Sequence, residues 1–172
     1  MARLVKKPIL VAMIITTIMM LTACSSKWGI TQKDKKIMAD RSEECVKAFI
    51  DKDAERLVDM FCSYVVENRK DLTVKETQRA IDFIDGNITS YESESTGIEQ
   101  EHSTGNGIVY YSRSMNYRLY TDKDKQYAFS IEYDYIWKKH KDYEGITSIH
   151  ITDKDSHKSV DICDFSYPYD DQ

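Results

Sequence analysis

The chain has 172 residues, 31% of them charged, and a mean hydropathy of -0.54, which leaves room for one polar globular domain plus a targeting segment. Beyond residue 23, 21 basic residues stand against 29 acidic ones, a formal charge of -8. That balance disfavours nucleic acid as a partner, because phosphates need Lys and Arg to neutralise them. Only two Pro and six Gly occur, which excludes a low-complexity chain.

Arg3, Lys6 and Lys7 come first, and a charge-free run from Ile9 to Ala23 follows. A positive start and then an apolar stretch is the order of an export signal. As a helix the run spans roughly 22 Å at about 1.5 Å per residue, short of the about 30 Å of a bilayer core. It therefore reads as a signal peptide over residues 1–23 rather than as a permanent transmembrane anchor. The run closes on Leu21-Thr22-Ala23-Cys24, which resembles the lipobox of bacterial lipoproteins. The resemblance implies cleavage between Ala23 and Cys24 and a diacylglyceryl group and palmitate-type acyl chains on Cys24. It also implies a domain held at the extracytoplasmic face of the cell membrane. Two acyl chains anchor stably where one does not. Residues 24–36 are polar apart from Trp28 and Ile30 and are expected to be the lipidated N-terminus and a tether.

The mature domain is expected over residues 37–166, with a tail at 167–172. A first helix is predicted from Lys35 to Ile50, with Met38, Cys45, Val46, Phe49 and Ile50 on its apolar face. Asp53 is a good N-cap for a second helix carrying Leu57, Val58, Phe61 and Val65 on one side. Thr73-Val74-Lys75-Glu76 reads as a capping box opening a third helix, with Ala80, Ile81 and Ile84 inward and Gly86 at its stop. Cys45, Cys62 and Cys163 are three, so at most one internal pair forms. A Cys45–Cys62 bridge between the first two helices is one reading, and three small buried hydrophobes is the favoured other. There is no CxxC and no Cys/His cluster, so no metal is expected.

After Gly86 the period changes to two. Strands are expected over 87–95, 108–121, 127–140, 145–152 and 160–165, with turns at Thr104–Gly107, Asp122–Gln126 and Asp153–Lys158. Tyr127, Phe129, Ile131, Tyr133, Tyr135 and Trp137 share one face of the second long strand; Ala128, Ser130, Glu132, Asp134 and Lys138 share the other. In the first long strand Val109, Tyr111, Met115, Tyr117 and Leu119 share a face with Arg113. The expectation is an α+β fold: three N-terminal helices packed on a curved antiparallel sheet of four to five strands, aromatic inside and polar outside.

Ile50-Asp51-Lys52-Asp53, Leu57 through Phe61, Ile81 through Ile88 and Gly145 through Ile149 carry a further likeness. The chain resembles the nuclear-transport-factor-2-like cone, and more narrowly an uncharacterised family of Firmicutes lipoproteins with that domain. The resemblance covers roughly Lys35 to Thr152 and implies a pocket between helices and sheet. It implies no substrate, since a fold does not name a reaction.

Glu132 and Asp134 fall on the polar register and are expected to be solvated. His150 points the same way, and His102, His140 and His157 sit at turns or strand ends. Arg113 is a charge in an inward register, flanked by Tyr111, Tyr117, Tyr133 and Tyr135. These five are the candidate ligand pocket, weighed against an Arg stem that covers the sheet and tyrosines that are core. No nucleophile–His–acid order and no phosphate-binding glycine loop is seen, and no cofactor is expected. The expected function is a non-catalytic domain binding a small molecule, a cell-wall component or an envelope protein. The alternatives are an isomerase or hydrolase using the pocket, and an envelope structural or immunity protein.

Overall fold

A stripe of Met38, Ser42, Cys45, Val46 and Phe49, spaced three and four apart, buries one side of helix α1 (Gln32–Ile50). The computed structural model describes residues 29–94, 97–105 and 107–163. The fold belongs to the unit that begins at Gln32. The expected signal peptide, Ala23 and Cys24 of the lipobox, Trp28 and the tail at 167–172 lie outside the described residues. Helix α1 begins at Gln32, so residues 32–36 of the expected tether are helical.

The expected second helix is two. Asp53 caps α2 (Ala54–Val58) as read, its side chain accepting from Arg56 N at 3.1 Å. The next carbonyls are taken over three residues, with Met60 N donating to Leu57 O and Phe61 N to Val58 O. This tightening ends the helix and turns Phe61 onto the sheet, where it bridges Ile146 in parallel. The chain then re-enters helix as α3 (Ser63–Asn68) and α4 (Lys70–Phe83). Thr73 does not cap α4, which starts three residues earlier. Its hydroxyl donates back to Arg69 O at 3.1 Å, and Glu76 accepts from Cys163 N at 2.8 Å. Ala80, Ile81 and Ile84 are inward as expected, and Gly86 leaves the helix at φ +100°.

The sheet has six strands, all paired antiparallel: β1 (Ile88–Glu94), β2 (Glu99–Thr104), β3 (Gly107–Thr121), β4 (Gln126–Trp137), β5 (Gly145–Asp153) and β6 (Ser159–Ile162). Their order is β1-β3-β4-β5-β6. Strand β2 also pairs with β3, and because β4 fills one edge of β3, β1 and β2 divide the other. Among the described residues the fold is α+β with four α-helices and a six-stranded sheet. A Lys141–Tyr143 3-10 turn ends β4 earlier than expected. The core lies between the helices and Leu119, Phe129, Ile131, Ile149 and Ile151, with Phe49 of α1 against Phe129 at 5.0 Å between ring centroids.

Two bulges break the alternation used to assign faces. Ser112 pairs with Asp134 and Tyr111 with Ile136, which leaves Tyr135 as an extra residue of β4. Likewise Glu132 pairs with Ser148 and Tyr133 with Ile146, leaving Thr147 extra in β5. The Tyr135 bulge lies beyond Asp134, which keeps the face of Glu132 and pairs with Ser112; what the bulge changes is Trp137, set opposite Tyr110. Asp134, expected to be solvated, is 2% exposed, and its Oδ1 accepts from Tyr110 at 3.1 Å. Glu132, two residues earlier on the same face, remains exposed.

Candidate functional site

The first half of α1 lies along the tyrosine side of the sheet, and polar contacts mark its course. Lys35 Nζ reaches both carboxylate oxygens of Glu99 on β2 at 3.0 Å. Tyr135 donates to Asp34 at 2.7 Å, and Tyr91 to Glu43 at 3.0 Å. Arg113 Nε stands 3.5 Å from Glu99 Oε1, beyond Lys35. Gly97 permits this arrangement. A Cβ there would stand 2.1 Å from Ser114 O, so only glycine lets the chain close on β3 before β2 begins. Ser114 then holds Ile98 by both its hydroxyl and its backbone N–H.

Of the five residues expected to line a pocket, Tyr111 and Tyr117 are buried and Arg113, Tyr133 and Tyr135 half-buried. Tyr111 and Arg113 come together beside Glu99. Tyr117 sits further along, with the Tyr91 ring at 6.1 Å and Glu43 and Cys45 as neighbours. Tyr133 feels Arg41 and Glu144, and Tyr135 holds Asp34. The set is strung along α1 from Asp34 to Cys45, about 16 Å of helix. Two clefts, of about 500 and 550 Å3, open elsewhere. Arg41, Asp53, Arg56 and Asp59 line the first; Lys47, Asp51, Arg56 and Tyr91 line the second.

Electrostatics move the titrations of these groups away from neutral pH. Burial first, and Glu99 second, pushes the Tyr111 phenol up to about 12. Burial does the same for Tyr117, and the bond to Asp34 leads the rise at Tyr135, each to about 12. The Lys35 bond holds Glu99 below the usual carboxylate range. Desolvation raises Glu132 although the residue is exposed. The Tyr111 hydroxyl and Arg113 Nε are buried and, although Glu99 stands beside both, make no hydrogen bond of normal geometry; among the described residues Ser42 Oγ and Thr77 Oγ1 are also buried without one. Glu99, which completes this corner, escaped the sequence reading because Glu99–Thr104 carries no apolar alternation to mark a strand.

A second cluster was also missed. His150 of β5 points outward as read, but it is not isolated. Its Nδ1 meets Asp161 Oδ1 of β6 at 2.5 Å, and its Nε2 meets Thr152 Oγ1 at 3.0 Å. The register pairs His150 directly with Asp161, so strand geometry makes the contact. The signal in the sequence was a polar residue, Asp161, within the expected last strand; the register that sets it opposite His150 is a cross-strand property that a single strand's pattern does not carry. Among the described residues, no group of three His, Cys, Asp or Glu is arranged to hold a metal ion.

No curated protein matches the chain. Residues 44–154 match a family described as a domain of unknown function, DUF5104. The match runs from the middle of α1 to the end of β5 and takes in Arg113, its four tyrosines, His150 and Thr152. The chain belongs to the DUF5104 family.

Proposed function

We propose that this chain is an exported bacterial lipoprotein, anchored by acyl chains on Cys24, whose domain binds a small ligand or an envelope partner without turning it over. The anchoring half rests on the Arg3-Lys6-Lys7 start and the apolar run that ends at Cys24. We read it with the uncharacterised Firmicutes lipoproteins. We also read its helices, set ahead of a bulged antiparallel sheet, as a nuclear-transport-factor-2-like cone. The binding half is carried by one observation: Tyr111 and Arg113 bring two buried donors together beside the single carboxylate of Glu99, which also serves Lys35, and among the described residues neither donor makes a hydrogen bond of normal geometry. An unsatisfied buried donor costs about 1–3 kcal/mol, so an incoming carboxylate or carbonyl oxygen gains there. Non-catalytic binding is supported by the shifts. Glu99 stays ionised and the tyrosines stay neutral through neutral pH, whereas acid–base catalysis wants a group that titrates near it.

Native protein extracted from membranes should begin at an acylated Cys24 by mass spectrometry. A Cys24→Ala variant that is still cleaved and membrane-bound would overturn the anchor. Thermal shift against a panel of small carboxylates should find at least one that raises the melting temperature. Arg113→Met should abolish that shift and change stability by no more than about 1 kcal/mol, the worth of a partly exposed ion pair. A shift that survives the substitution, or turnover of the compound, would reject this site as a binding site.

A second reading, a hydrolase, is favoured by the Asp161–His150–Thr152 chain, which has the order of a carboxylate, an imidazole and a hydroxyl nucleophile. It stands on the outward face rather than beside Arg113. A fluorophosphonate should then label Thr152, and His150→Ala should stop it; an unlabelled wild-type protein removes the reading.

A further inference from the structure

Three cysteines are buried and unbridged in the described domain, and two of them meet at one edge of the sheet. Strand β5 has β4 on one edge, where Tyr133 pairs with Ile146. Phe61 bridges the same Ile146, so it must use the opposite edge, the one that carries β6. Cys62 N donates to Ile146 O at 2.8 Å, which sets Cys62 alongside Thr147. From the other direction β6 makes its last pair at Ile162, opposite Ile149. One further residue in that register brings Cys163 alongside Ser148. The two cysteines thus arrive head to head on one strand edge, offset by about 3.3 Å along it. A disulfide joins Cα atoms roughly 4.4–6.8 Å apart, and two chains that end one strand step apart on one edge, with Cys163 turning off it, are brought together on that scale.

Local details hold both ends in place. The Cys62 backbone lies on Gly145, where a Cβ would stand 3.1 Å from Cys62 Cα. Cys163 turns off the edge at φ +61°, with its N–H on Glu76 and its sulfur 4.0 Å from the Thr73 hydroxyl. Each side chain is almost wholly buried, at 1% and 0% exposure, and the charge of a Cys62 thiolate is felt at Cys163. Cys45 belongs elsewhere, on α1 beside Arg41 and Tyr117.

We propose that Cys62 and Cys163 form an intramolecular disulfide when the chain folds in an oxidising compartment, and that Cys45 stays a free thiol. The oxidant is a small disulfide, R–S–S–R. One cysteine thiolate attacks it and expels RS−, giving a mixed disulfide. The second thiolate attacks the protein sulfur of that mixed disulfide and expels the other RS−. Two cysteines lose two protons and two electrons, and the oxidant leaves as two RSH. Burial raises both thiols, Cys163 to about 12, so exchange in the folded domain is slow and the bridge forms during folding. The compartment, but not the pairing, rests on the export reading above.

The test refolds the full chain from reduced, denatured protein with a reduced and oxidised glutathione couple, then maps unreduced peptides by mass spectrometry. A Cys62–Cys163 peptide pair should dominate, and it should persist in Cys45→Ser. The bridged form should melt at least about 5 °C above the reduced form, since the bridge closes a loop of about 100 residues. A dominant Cys45–Cys62 pair, or a native fold with no internal bridge, overturns the proposal. The wild-type map decides this even if Cys62→Ser or Cys163→Ser fails to fold. In cells, protein acylated at Cys24 but alkylated at both Cys62 and Cys163 after a thiol trap overturns the bridge and leaves the anchor standing. Unacylated, cytosolic protein that still bridges in the glutathione test overturns the anchor and supports the pairing.

Discussion

Asp122 does at the α4–β1 turn what a cap does at a helix end. Its two oxygens accept from Asn87 N at 2.8 Å and Asn87 Nδ2 at 3.0 Å, and its own N–H donates to Asn87 O. These bonds hold its carboxyl below the ordinary value. A lowered folded pKa adds stability that is complete above the unfolded value near pH 4 and fades as pH falls through the folded one. Asp122→Ala should therefore melt below the wild type at pH 7, and the gap should close in melts run at progressively lower pH. A gap that persists unchanged in strong acid would show that the carboxylate is not its source. The tyrosines shift the other way. Tyr111, Tyr117, Tyr135 and Tyr143 are pushed to about 12, so the stability tied to their neutral phenols is present below pH 10 and lost as pH climbs toward 12. Phenolate absorbance should rise later and over a wider pH range in the folded protein than in denaturant, with these four among the last to ionise. At this scale Asp53 and Gly86 were legible because a cap and a stop are local chemistry. Asp134 was not, because it is buried on the face that alternation marks as wet, where the Tyr110 hydroxyl of the neighbouring strand bonds it.

At the scale of elements, long periodic segments were readable and interruptions were not. Helix α1 and strands β3 and β4 announce themselves by spacing. The break between α2 and α3 has no such mark. Leu57, Val58, Phe61 and Val65 fit one helical face, yet Phe61 serves the sheet. Tertiary pairing outbids a local period there, and the same contact offers a test. Phe61 is 6% exposed, and Phe61→Ala should destabilise the domain by about 3–5 kcal/mol in denaturant titrations. A loss under 1 kcal/mol would mean that the β5 edge closes without it. Strand β2 was invisible for the opposite reason: all six of its residues are exposed, and its pairing with β3 depends on the close approach at Gly97. Gly97→Ala should leave the core intact by circular dichroism while Glu99–Thr104 loses hydrogen-exchange protection. Equal protection in the variant would show that the Ser114 contact is not what docks the strand. Because β2 carries Glu99, the corner around Arg113 was only half legible, with its cation and phenols visible and its carboxylate hidden.

For the whole molecule, the α+β class and antiparallel sheet were readable from the change of period at Gly86, and the strand count was short by the one without apolar residues. No helix among the described residues is long and apolar enough to cross a membrane. The sheet leaves β3 bordered on one side by two short strands in tandem, β1 and β2, rather than by one long one. Those two strands are the sheet's open margin on that side, and they carry Glu92, Glu94, Glu99 and Glu101. An open strand edge is a template for another chain, and charge along it is a common safeguard. Proteins confined to a membrane plane meet their own copies at high local density, so a chain tethered as proposed would be especially exposed to edge-to-edge joining. A carboxylate margin repels a second copy before backbone bonds can zip the two together. Glu92→Gln with Glu101→Gln should increase light scattering with protein concentration, most at high salt, where the remaining repulsion is screened. On the proposed anchor, the acidity of this domain would have a colloidal role: it would keep a crowded layer of identical sheets from fusing into fibres.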